Sequence, residues 1–185
     1  VAYHASRLGI CCTVVMPEFT PFIKVTNTRG YGAHVIQMGA TLSDGLMEVH
    51  RMVEEDGMNL VHAFDDDAVI AGQGTIGLEL VEQVEDLSTV VVPIGGGGII
   101  SGIAVAVKTL KPSVRVIGVE AAAAASALAS RNAHGIVGIE SADTLADGIA
   151  VKRIGERTFP IIQEYVDDIV TVDEEEIATA ILHLL

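Results

Sequence analysis

Two spacings of apolar residues alternate along the chain. Short apolar runs that end at glycine, proline or charged residues are typical of buried strands, and we place them at residues 10–16, 33–38, 59–61, 90–92, 114–119 and 168–172. Helical spacing of apolar residues predicts helices at residues 3–8, 21–29, 43–54, 76–84, 99–108, 121–130, 154–165 and 174–185. Because strands and helices alternate from end to end, the pattern predicts an α/β fold of three layers, with parallel sheets covered by helices on both faces.

Local signals define several helix ends. Thr20 before Pro21 is the expected N-cap of the second helix, and Asp173 is expected to cap the last one. The acidic triplet at residues 65–67 resembles a metal-binding run. Three adjacent carboxylates on a helix cannot all face one ion, so we interpret the triplet as a loop and a helix N-cap. Pro160 lies inside a predicted helix and is expected to kink or break it.

The alternation also predicts two subdomains. Residues 1–61 are expected to form a small subdomain, and residues 62–185 a larger one whose sheet is centred on a glycine-rich stretch. We expect both to be partial, because the chain begins without Met and directly in a helical pattern. Ligands of such folds lie at the carboxyl ends of the strands, so the residues that follow the strand at 90–92 are the first candidates for a site.

Four consecutive glycines, Gly95, Gly96, Gly97 and Gly98, follow that strand and precede a predicted helix. Backbone N–H groups can converge in such a loop, and the positive end of the helix dipole adds to them, so the loop suits a phosphate. It lacks the Gly-Lys-Ser/Thr of a triphosphate loop and the spacing of a dinucleotide site, which favours one phosphate monoester. A flexible hinge is the alternative, and the entropy that four glycines lose on folding argues against it.

Composition excludes several classes of function. The formal net charge is −14, so neither nucleic acid nor an anionic membrane surface is an expected partner. No apolar run approaches the roughly 18 residues of a membrane span, and the first residues lack the basic and apolar parts of a signal peptide. Cys11 and Cys12 are adjacent and suit small core residues in a reducing compartment, so we expect a cytoplasmic protein.

A series of motifs resembles the threonine/serine dehydratases, which are fold-type II pyridoxal-phosphate enzymes. The most specific are VIAGQGTIGLE at residues 69–79 and PIGGGG at residues 93–98. The others are VAYHA at 1–5, VVMP at 14–17, TP at 20–21, GAHVI at 32–36, VIGVE at 116–120 and ADGIAVK at 146–152. Together they extend over nearly the whole chain in the order of the family. Serine racemase shares much of this pattern.

The resemblance implies a tryptophan synthase β-like fold with pyridoxal 5′-phosphate as the cofactor. It places the cofactor phosphate in the loop at residues 95–98, which agrees with the physical argument from the glycines. It also places Gly148 against the cofactor ring. A simple turn glycine after Asp147 is the alternative for that position. Gln73 and Thr75 lie in a motif near the cleft, with helix capping as their alternative role.

A cation site is implied as well. The resemblance assigns to it the Glu120 carboxylate, the Ala124 carbonyl and the Ser126 hydroxyl. Enzymes like serine racemase carry Asp where Ser126 stands, which suits Mg²⁺ or Ca²⁺. With one carboxylate fewer, oxygen ligands of this kind favour K⁺ or Na⁺. An ordinary carboxylate at a strand end is the alternative for Glu120.

The resemblance places no catalytic residue in this chain. The Schiff-base lysine of the family precedes the segment, and the residue that bonds the pyridine nitrogen follows it. The chain therefore resembles the central part of an enzyme and is not expected to catalyse a reaction alone. None of its lysines matches the cofactor lysine: Lys24, Lys108, Lys111 and Lys152.

For the complete protein, the resemblance implies deamination of L-threonine and L-serine to a 2-oxo acid and ammonia, within amino-acid metabolism. The expected partners are the small amino-acid substrate and further copies of the chain in a homo-oligomer. Serine racemase activity is one alternative. A non-catalytic binding or regulatory fragment is another, because the lysine is not in the chain, and a nucleotide-binding α/β module is a third.

Overall fold

The computed structural model of the chain describes residues 1–40 and 42–185, with side chains for all of these except 42 and 43. Contacts divide the chain into two compact units, Val1–Leu60 and Val61–Leu185. The assignment of residues 1–61 to a small subdomain and of residues 62–185 to a cofactor-binding subdomain stays a prediction.

The first unit is built on two parallel strands, β1 (Thr13–Met16) and β2 (His34–Gln37). Parallel strands need a crossover between them, and helix α2 supplies it and contacts β2. Val25 of α2 and Val35 of β2 are buried. The helices of this unit are α1 (Ala2–Arg7), α2 (Phe22–Gly30) and α3 (Leu42–Asp56).

The second unit contains a three-stranded parallel sheet in the order β3 (Thr89–Pro93), β4 (Arg115–Ala121), β5 (Asp168–Val172). Its α-helices are α4 (Asp67–Gln83), α5 (Gly98–Leu110), α6 (Ser126–Asn132), α7 (Thr158–Tyr165) and α8 (Glu174–Leu184). Short 3₁₀ helices lie at Ala122–Ala124 and Asp147–Ile149. The parallel α/β organisation predicted from the sequence is confirmed in both units.

The register brings the carboxyl ends of neighbouring strands to one edge of the larger sheet. Pro93 at the end of β3 lies opposite Val119, and Glu120 near the end of β4 lies opposite Thr171. Ligands of parallel α/β sheets bind at this edge. The glycine loop after β3 and the carboxylate of Glu120 are therefore both at the edge where a site is expected.

Helix α5 is fixed to the sheet by its apolar face. Ile100, Ala104 and Val107 have no exposed surface, and neither do Val114 and Val116 on the sheet side of the same core. Interiors packed in this way resist small displacements. The first residue of α5 is Gly98, so the core also fixes the point where the glycine loop enters the helix.

Small residues let helices α4 and α5 approach closely. A Cβ added to Gly102 of α5 would lie 2.3 Å from the Ile70 carbonyl oxygen and 2.5 Å from the Gly74 nitrogen. A Cβ added to Gly77 of α4 would lie 2.9 Å from Ala106 Cβ. The two backbones are thus in direct contact, and the position of α4 determines that of α5.

Two predicted elements differ from the structure. The strand predicted at residues 59–61 is absent, since this segment is neither helix nor strand and Leu60 and Val61 are exposed. The helix predicted at residues 121–130 is divided into a 3₁₀ turn and α6, with a break at Ala125, where φ is −84° and ψ is 58°. Alanine favours helix wherever nothing else decides, and here the buried Glu120 carboxylate fixes where α6 begins.

Two predicted helix starts are also corrected. Helix α2 begins at Phe22 with Pro21 as its N-cap and no side-chain cap, so Thr20 is not the N-cap. Helix α7 begins at Thr158 and not at 154, which places Pro160 in its first turn. An N–H group in the first turn has no partner within the helix, so proline is tolerated there without the predicted kink.

The predicted N-cap of the last helix is confirmed. Asp173 caps α8 and accepts from the Glu176 N–H at 2.8 Å, and the Glu176 carboxylate accepts from the Asp173 N–H at 2.9 Å. This reciprocal pair is a capping box. In the part of the chain that the structure describes, no helix is long and apolar enough to cross a membrane.

Candidate functional site

The four glycines form the connection between β3 and α5. Gly97 is the N-cap of α5 with φ 92° and ψ −3°, in the left-handed region that glycine adopts without strain. Its neighbour Gly98 is the first helical residue, and no side chain caps the helix start. The N–H groups of the first helical turn are thus left without a capping side chain.

Packing also leaves little room for a side chain at each of the four glycines. A Cβ on Gly96 would lie 2.3 Å from the Phe64 ring, and one on Gly98 would lie 2.9 Å from Phe64 Cβ. A Cβ on Gly97 would lie 2.8 Å from Thr158 Oγ1, and one on Gly95 would lie 3.1 Å from the Cα of Ile149. The flexible-hinge alternative is therefore wrong, because the loop is in close contact on several sides. These packing contacts alone explain why glycine occupies the four positions, even if no ligand binds. The argument for a phosphate therefore depends on the backbone N–H groups of the loop.

Hydrogen bonds engage the carbonyls of the loop but not its amides. The Gly96 carbonyl accepts from Thr158 Oγ1 at 2.7 Å and from the Gly155 N–H at 3.3 Å. The Gly97 carbonyl accepts from the Ser101 N–H at 3.0 Å. In the described part of the chain, no acceptor is found for the N–H groups of the four glycines. A buried N–H without an acceptor costs about 1–3 kcal/mol, and one phosphate at this helix start would satisfy several of them.

The acidic triplet supports the neighbouring helices. Asp65 accepts from the N–H groups of Glu156 at 2.9 Å and Arg157 at 2.8 Å, before the first turn of α7. Asp66 is the N-cap of α4, which confirms the N-cap interpretation, but the helix begins at Asp67 and not at 76 as predicted. Asp67 pairs with Arg157 at 2.8 Å. Among the described residues, no group of three His, Cys, Asp or Glu side chains could hold a metal ion.

Glu120 is a buried carboxylate with two backbone partners. Its side chain has no exposed surface, and its two oxygens accept from the N–H groups of Ala127 and Leu128, each at 2.8 Å. Burial raises the pKa of the Glu120 carboxyl, while the two hydrogen bonds oppose that change. Glu120 therefore serves as a distant cap for α6, whose own N-cap residue provides none. This is a more specific role than that of an ordinary carboxylate at a strand end.

The other two predicted cation ligands lie in the same short segment. Ala124 and Ser126 are buried, and Ser126 Oγ has no hydrogen-bond partner among the described residues. Buried hydroxyls are nearly always hydrogen-bonded. A fully buried hydroxyl six residues from a buried carboxylate is thus consistent with a missing ligand such as a cation, and the three residues stay a predicted site.

Gly148 lies in the 3₁₀ turn Asp147–Ile149. A Cβ added there would meet no atom within 4 Å, and its φ lies outside the left-handed region. The described part of the chain thus gives no reason for a glycine at 148. The next residue, Ile149, contacts the glycine loop through Gly95, so Gly148 is close to the loop, with open space on the side where a Cβ would point.

The remaining candidates are not brought to the loop. Gln73 and Thr75 lie inside α4 and not at its start, so the helix-capping alternative is wrong for both. Thr75 Oγ1 donates to the Gly72 carbonyl at 2.8 Å. Lys108 pairs with Asp167 at 2.7 Å and lowers the pKa of that carboxyl. Lys111 donates to the Glu85 carbonyl at 2.9 Å, so neither lysine is directed at the phosphate loop.

Three residues support the loop in ways that were not predicted from the sequence. Phe64 packs on the loop, Asp65 holds the start of α7, and Thr158 bonds the Gly96 carbonyl. Thr158 and Gly96 are 62 positions apart in the sequence, and Arg157 and Asp65 are 92 positions apart. The sequence offered one indication of this support: Asp65 stands between Phe64 and Asp66, the N-cap of α4.

Comparison with known proteins places these features in a family. Residues 1–185 match the family of pyridoxal-phosphate dependent enzymes. The chain belongs to this family. The resemblance predicted from the motifs is therefore confirmed, and so is the fold-type II architecture, which the solved structures below share.

Individual relatives agree over the full length of the chain. An L-threonine ammonia-lyase from Geobacter sulfurreducens is 51% identical over 185 residues, which are 100% of this chain and 46% of that protein. The processed form of threonine deaminase isoform 2 from Solanum lycopersicum superposes with a TM-score of 0.93 at 39% identity, over 100% of this chain and 54% of that one. Maize serine racemase superposes with a TM-score of 0.93 at 38% identity, over 98% of this chain and 55% of that one. The chain thus spans about half the length of these relatives.

Proposed function

We propose that the complete protein containing this chain is a pyridoxal-phosphate-dependent ammonia-lyase. It deaminates L-threonine and L-serine to a 2-oxo acid and ammonia. The observation that carries the proposal is the 51% identity, over the whole chain, to an L-threonine ammonia-lyase. Because the chain covers 46% of that relative, the activity is assigned to the complete protein and not to this chain alone.

The part played by this chain is to bind and orient. Pyridoxal phosphate, when bound, supplies an electron sink that stabilises the charge left on Cα when the Cα–H bond of the amino acid breaks. The N–H groups of Gly95, Gly96, Gly97 and Gly98 would donate to the phosphate at the positive end of α5. Gly148 would leave room for the ring. No residue of this chain is assigned a proton transfer.

We expect the complete protein to convert L-threonine to 2-oxobutanoate and ammonia in the presence of pyridoxal phosphate. The rate of 2-oxo acid formation, followed by its hydrazone absorbance, measures this activity. L-serine is expected to yield pyruvate by the same route. A chain truncated to residues 1–185 is the control and should release no 2-oxo acid.

Serine racemase activity is the second candidate, because maize serine racemase has the same fold with a TM-score of 0.93. Chiral analysis of the products from L-serine separates the two reactions. D-serine without pyruvate would replace the lyase proposal with the racemase. A complete protein that binds pyridoxal phosphate and changes neither amino acid would instead support a binding or regulatory role.

The proposal extends to the cell compartment and assembly. Cys11 is exposed and Cys12 is partly exposed, so the expectation that they are core residues is wrong. Both are free thiols, which supports the expected cytoplasmic location. We further propose a homo-oligomer, as the family resemblance implies. Sedimentation of the complete protein would test the assembly.

We also propose that K⁺ or Na⁺ binds between Glu120, Ala124 and Ser126. The support is chemical: a buried carboxylate, a buried hydroxyl without a partner among the described residues, and a carbonyl in the turn between them. Oxygen ligands with a single negative charge suit a monovalent cation better than Mg²⁺. The same carboxylate also caps α6, so cation binding would stabilise this part of the fold.

Ser126→Ala is expected to remove the response to K⁺ without destabilising the cation-free protein. At a K⁺ concentration about tenfold above its dissociation constant, binding should stabilise the wild type by about 1.4 kcal/mol and raise its melting temperature by about 4 °C. The comparison uses KCl against choline chloride at equal ionic strength. Removing the hydroxyl costs little in choline chloride, because it has no hydrogen bond to lose.

Ser130→Ala is the matched control. Ser130 is buried in the same helix, and its Oγ donates to the Ser126 carbonyl at 2.7 Å. This variant should be less stable in both salts and keep the full shift with K⁺. Equal melting temperatures of the wild type in KCl, NaCl and choline chloride would reject the cation site.

A further inference from the structure

Thr158 makes a contact that the local sequence pattern does not explain. It is the first residue of α7 and has no exposed surface. Its hydroxyl lies 2.7 Å from the Gly96 carbonyl oxygen and 3.3 Å from the Gly155 carbonyl oxygen. A threonine hydroxyl has one proton to donate, and the shorter distance assigns it to Gly96.

The Gly96 carbonyl and the Gly97 N–H belong to the same planar peptide unit. In a trans peptide these two groups point in opposite directions, and the chain contains no cis peptide bonds among the described residues. Thr158 therefore does more than bind a carbonyl. By holding the oxygen toward α7, it turns the Gly97 N–H away from α7.

Such a constraint matters here because glycine flanks the peptide on both sides. Glycine populates both signs of φ with little difference in energy, so the unit between Gly96 and Gly97 could rotate by a half-turn at low cost. After that rotation the carbonyl would face the place where a phosphate is expected, and its negative end would repel an anion. The bond from Thr158 at 2.7 Å opposes that rotation, together with the longer bond from the Gly155 N–H at 3.3 Å.

Thr158 is itself held from two sides. Its N–H donates to Asp65 Oδ1 at 3.3 Å, and its carbonyl accepts from Ser101 Oγ at 3.3 Å. Its side chain packs under Gly97, where an added Cβ would lie 2.9 Å from Thr158 Cβ. The side chain thus has no room to turn its hydroxyl elsewhere, and the orientation of the loop peptide is set by the position of α7.

We propose that Thr158 is a positioning residue that orients the Gly96–Gly97 peptide so that the Gly97 N–H donates to the cofactor phosphate. The inference depends on the proposed function, since it takes the glycine loop as the phosphate site. It adds to that proposal a residue from α7, outside the loop, that makes the loop selective for an anion.

The test compares two ligands that differ only in the phosphate. Dissociation constants of pyridoxal phosphate and of pyridoxal are measured by absorbance titration of the complete apoprotein, for wild type and for Thr158→Val. Thr158→Val keeps the shape and loses the hydroxyl. We expect it to weaken pyridoxal phosphate by about tenfold to a hundredfold and to leave pyridoxal within about twofold. The ³¹P resonance of the bound phosphate should shift in the same variant.

Two further variants separate orientation from simple stability. Thr158→Ser restores the hydroxyl and should bind pyridoxal phosphate within about threefold of the wild type. Ser130→Ala removes a buried hydrogen bond within α6 and changes no contact of Thr158 or of the Gly96 peptide. It should lower the melting temperature and keep the ratio of the two dissociation constants. If Thr158→Val does not fold, Thr158→Ala is compared with Thr158→Ser in its place.

The outcomes are distinct. Equal losses for both ligands, or a Thr158→Val protein with unchanged affinity for pyridoxal phosphate, would overturn the role of Thr158 alone. A wild-type protein that binds pyridoxal as tightly as pyridoxal phosphate would overturn the phosphate site in the glycine loop, and the proposed function would lose its structural support with it.

Discussion

Gly97→Ala is expected to reduce the affinity of the complete protein for pyridoxal phosphate by at least about a hundredfold. The residue has a φ of 92°, where a side chain costs about 1–2 kcal/mol. Its new Cβ would also lie 2.8 Å from Thr158 Oγ1 and 2.9 Å from Ile162 Cδ1. Overpacking of this kind costs about 1–3 kcal/mol more.

The strain cannot be relieved without changing the site. Both obstructing side chains are fully or almost fully buried in α7, so the loop and not the helix must move. That movement breaks the bond from Thr158 to the Gly96 carbonyl and misdirects the adjacent N–H. We therefore expect loss of binding to exceed what the loss of stability alone would produce.

Gly135→Ala is the control for this prediction. Gly135 is also a loop glycine, but an added Cβ meets no atom within 4 Å, and its φ lies outside the left-handed region. Its affinity for pyridoxal phosphate should remain within about twofold of the wild type. Absorbance titration measures both variants, and circular dichroism at the titration temperature confirms that each is folded. A Gly97→Ala protein that binds the cofactor normally would show that the loop has another conformation.

The connection that carries the predicted site could be recognised from local order alone. A strand, four glycines and a helix follow one another within residues 89–110, so their connection could be predicted without knowing the rest of the fold. The same holds for Asp173, because a capping box involves residues three positions apart. Parallel pairing also followed from the alternation of strands and helices.

What supports the loop could not be predicted in this way. Thr158 and Gly96 are 62 positions apart, and no spacing rule connects a helix start to a distant carbonyl. The alanine-rich segment at residues 121–130 is a second case in which local pattern was not sufficient. Its propensity favours one continuous helix, yet the Glu120 carboxylate binds the N–H groups of Ala127 and Leu128 and sets the start of α6. Long-range polar contacts decide such positions, and a single sequence does not contain them explicitly.

Gly102→Ala is expected to destabilise the complete protein by about 3 kcal/mol and to lower its melting temperature by several degrees. The added Cβ would meet three backbone atoms of α4 at 2.3 to 2.9 Å, among them the Ile70 carbonyl oxygen. Backbone atoms cannot rotate out of the way as a side chain can, so α4 and α5 must separate. Thermal unfolding measures the effect.

Gly72→Ala tests whether the position or the mutation itself is responsible. Gly72 lies in α4 as well, but a Cβ there meets no atom within 4 Å. Alanine in a helix interior is favoured over glycine by about 0.5–1 kcal/mol, so this variant should be slightly more stable than the wild type. If both variants had the same melting temperature as the wild type, the close crossing of α4 and α5 would be refuted.

The two alanine substitutions should also differ in their effect on the site. Helix α5 starts at Gly98, and Gly102 lies one turn further along. Displacing α5 by even a few tenths of an ångström at Gly102 moves the N–H groups that are proposed to hold the phosphate. Gly102→Ala should therefore weaken cofactor binding even at temperatures where it is fully folded, and Gly72→Ala should not. This coupling would show that the α4–α5 contact, although remote from any reacting atom, determines the geometry of the phosphate loop.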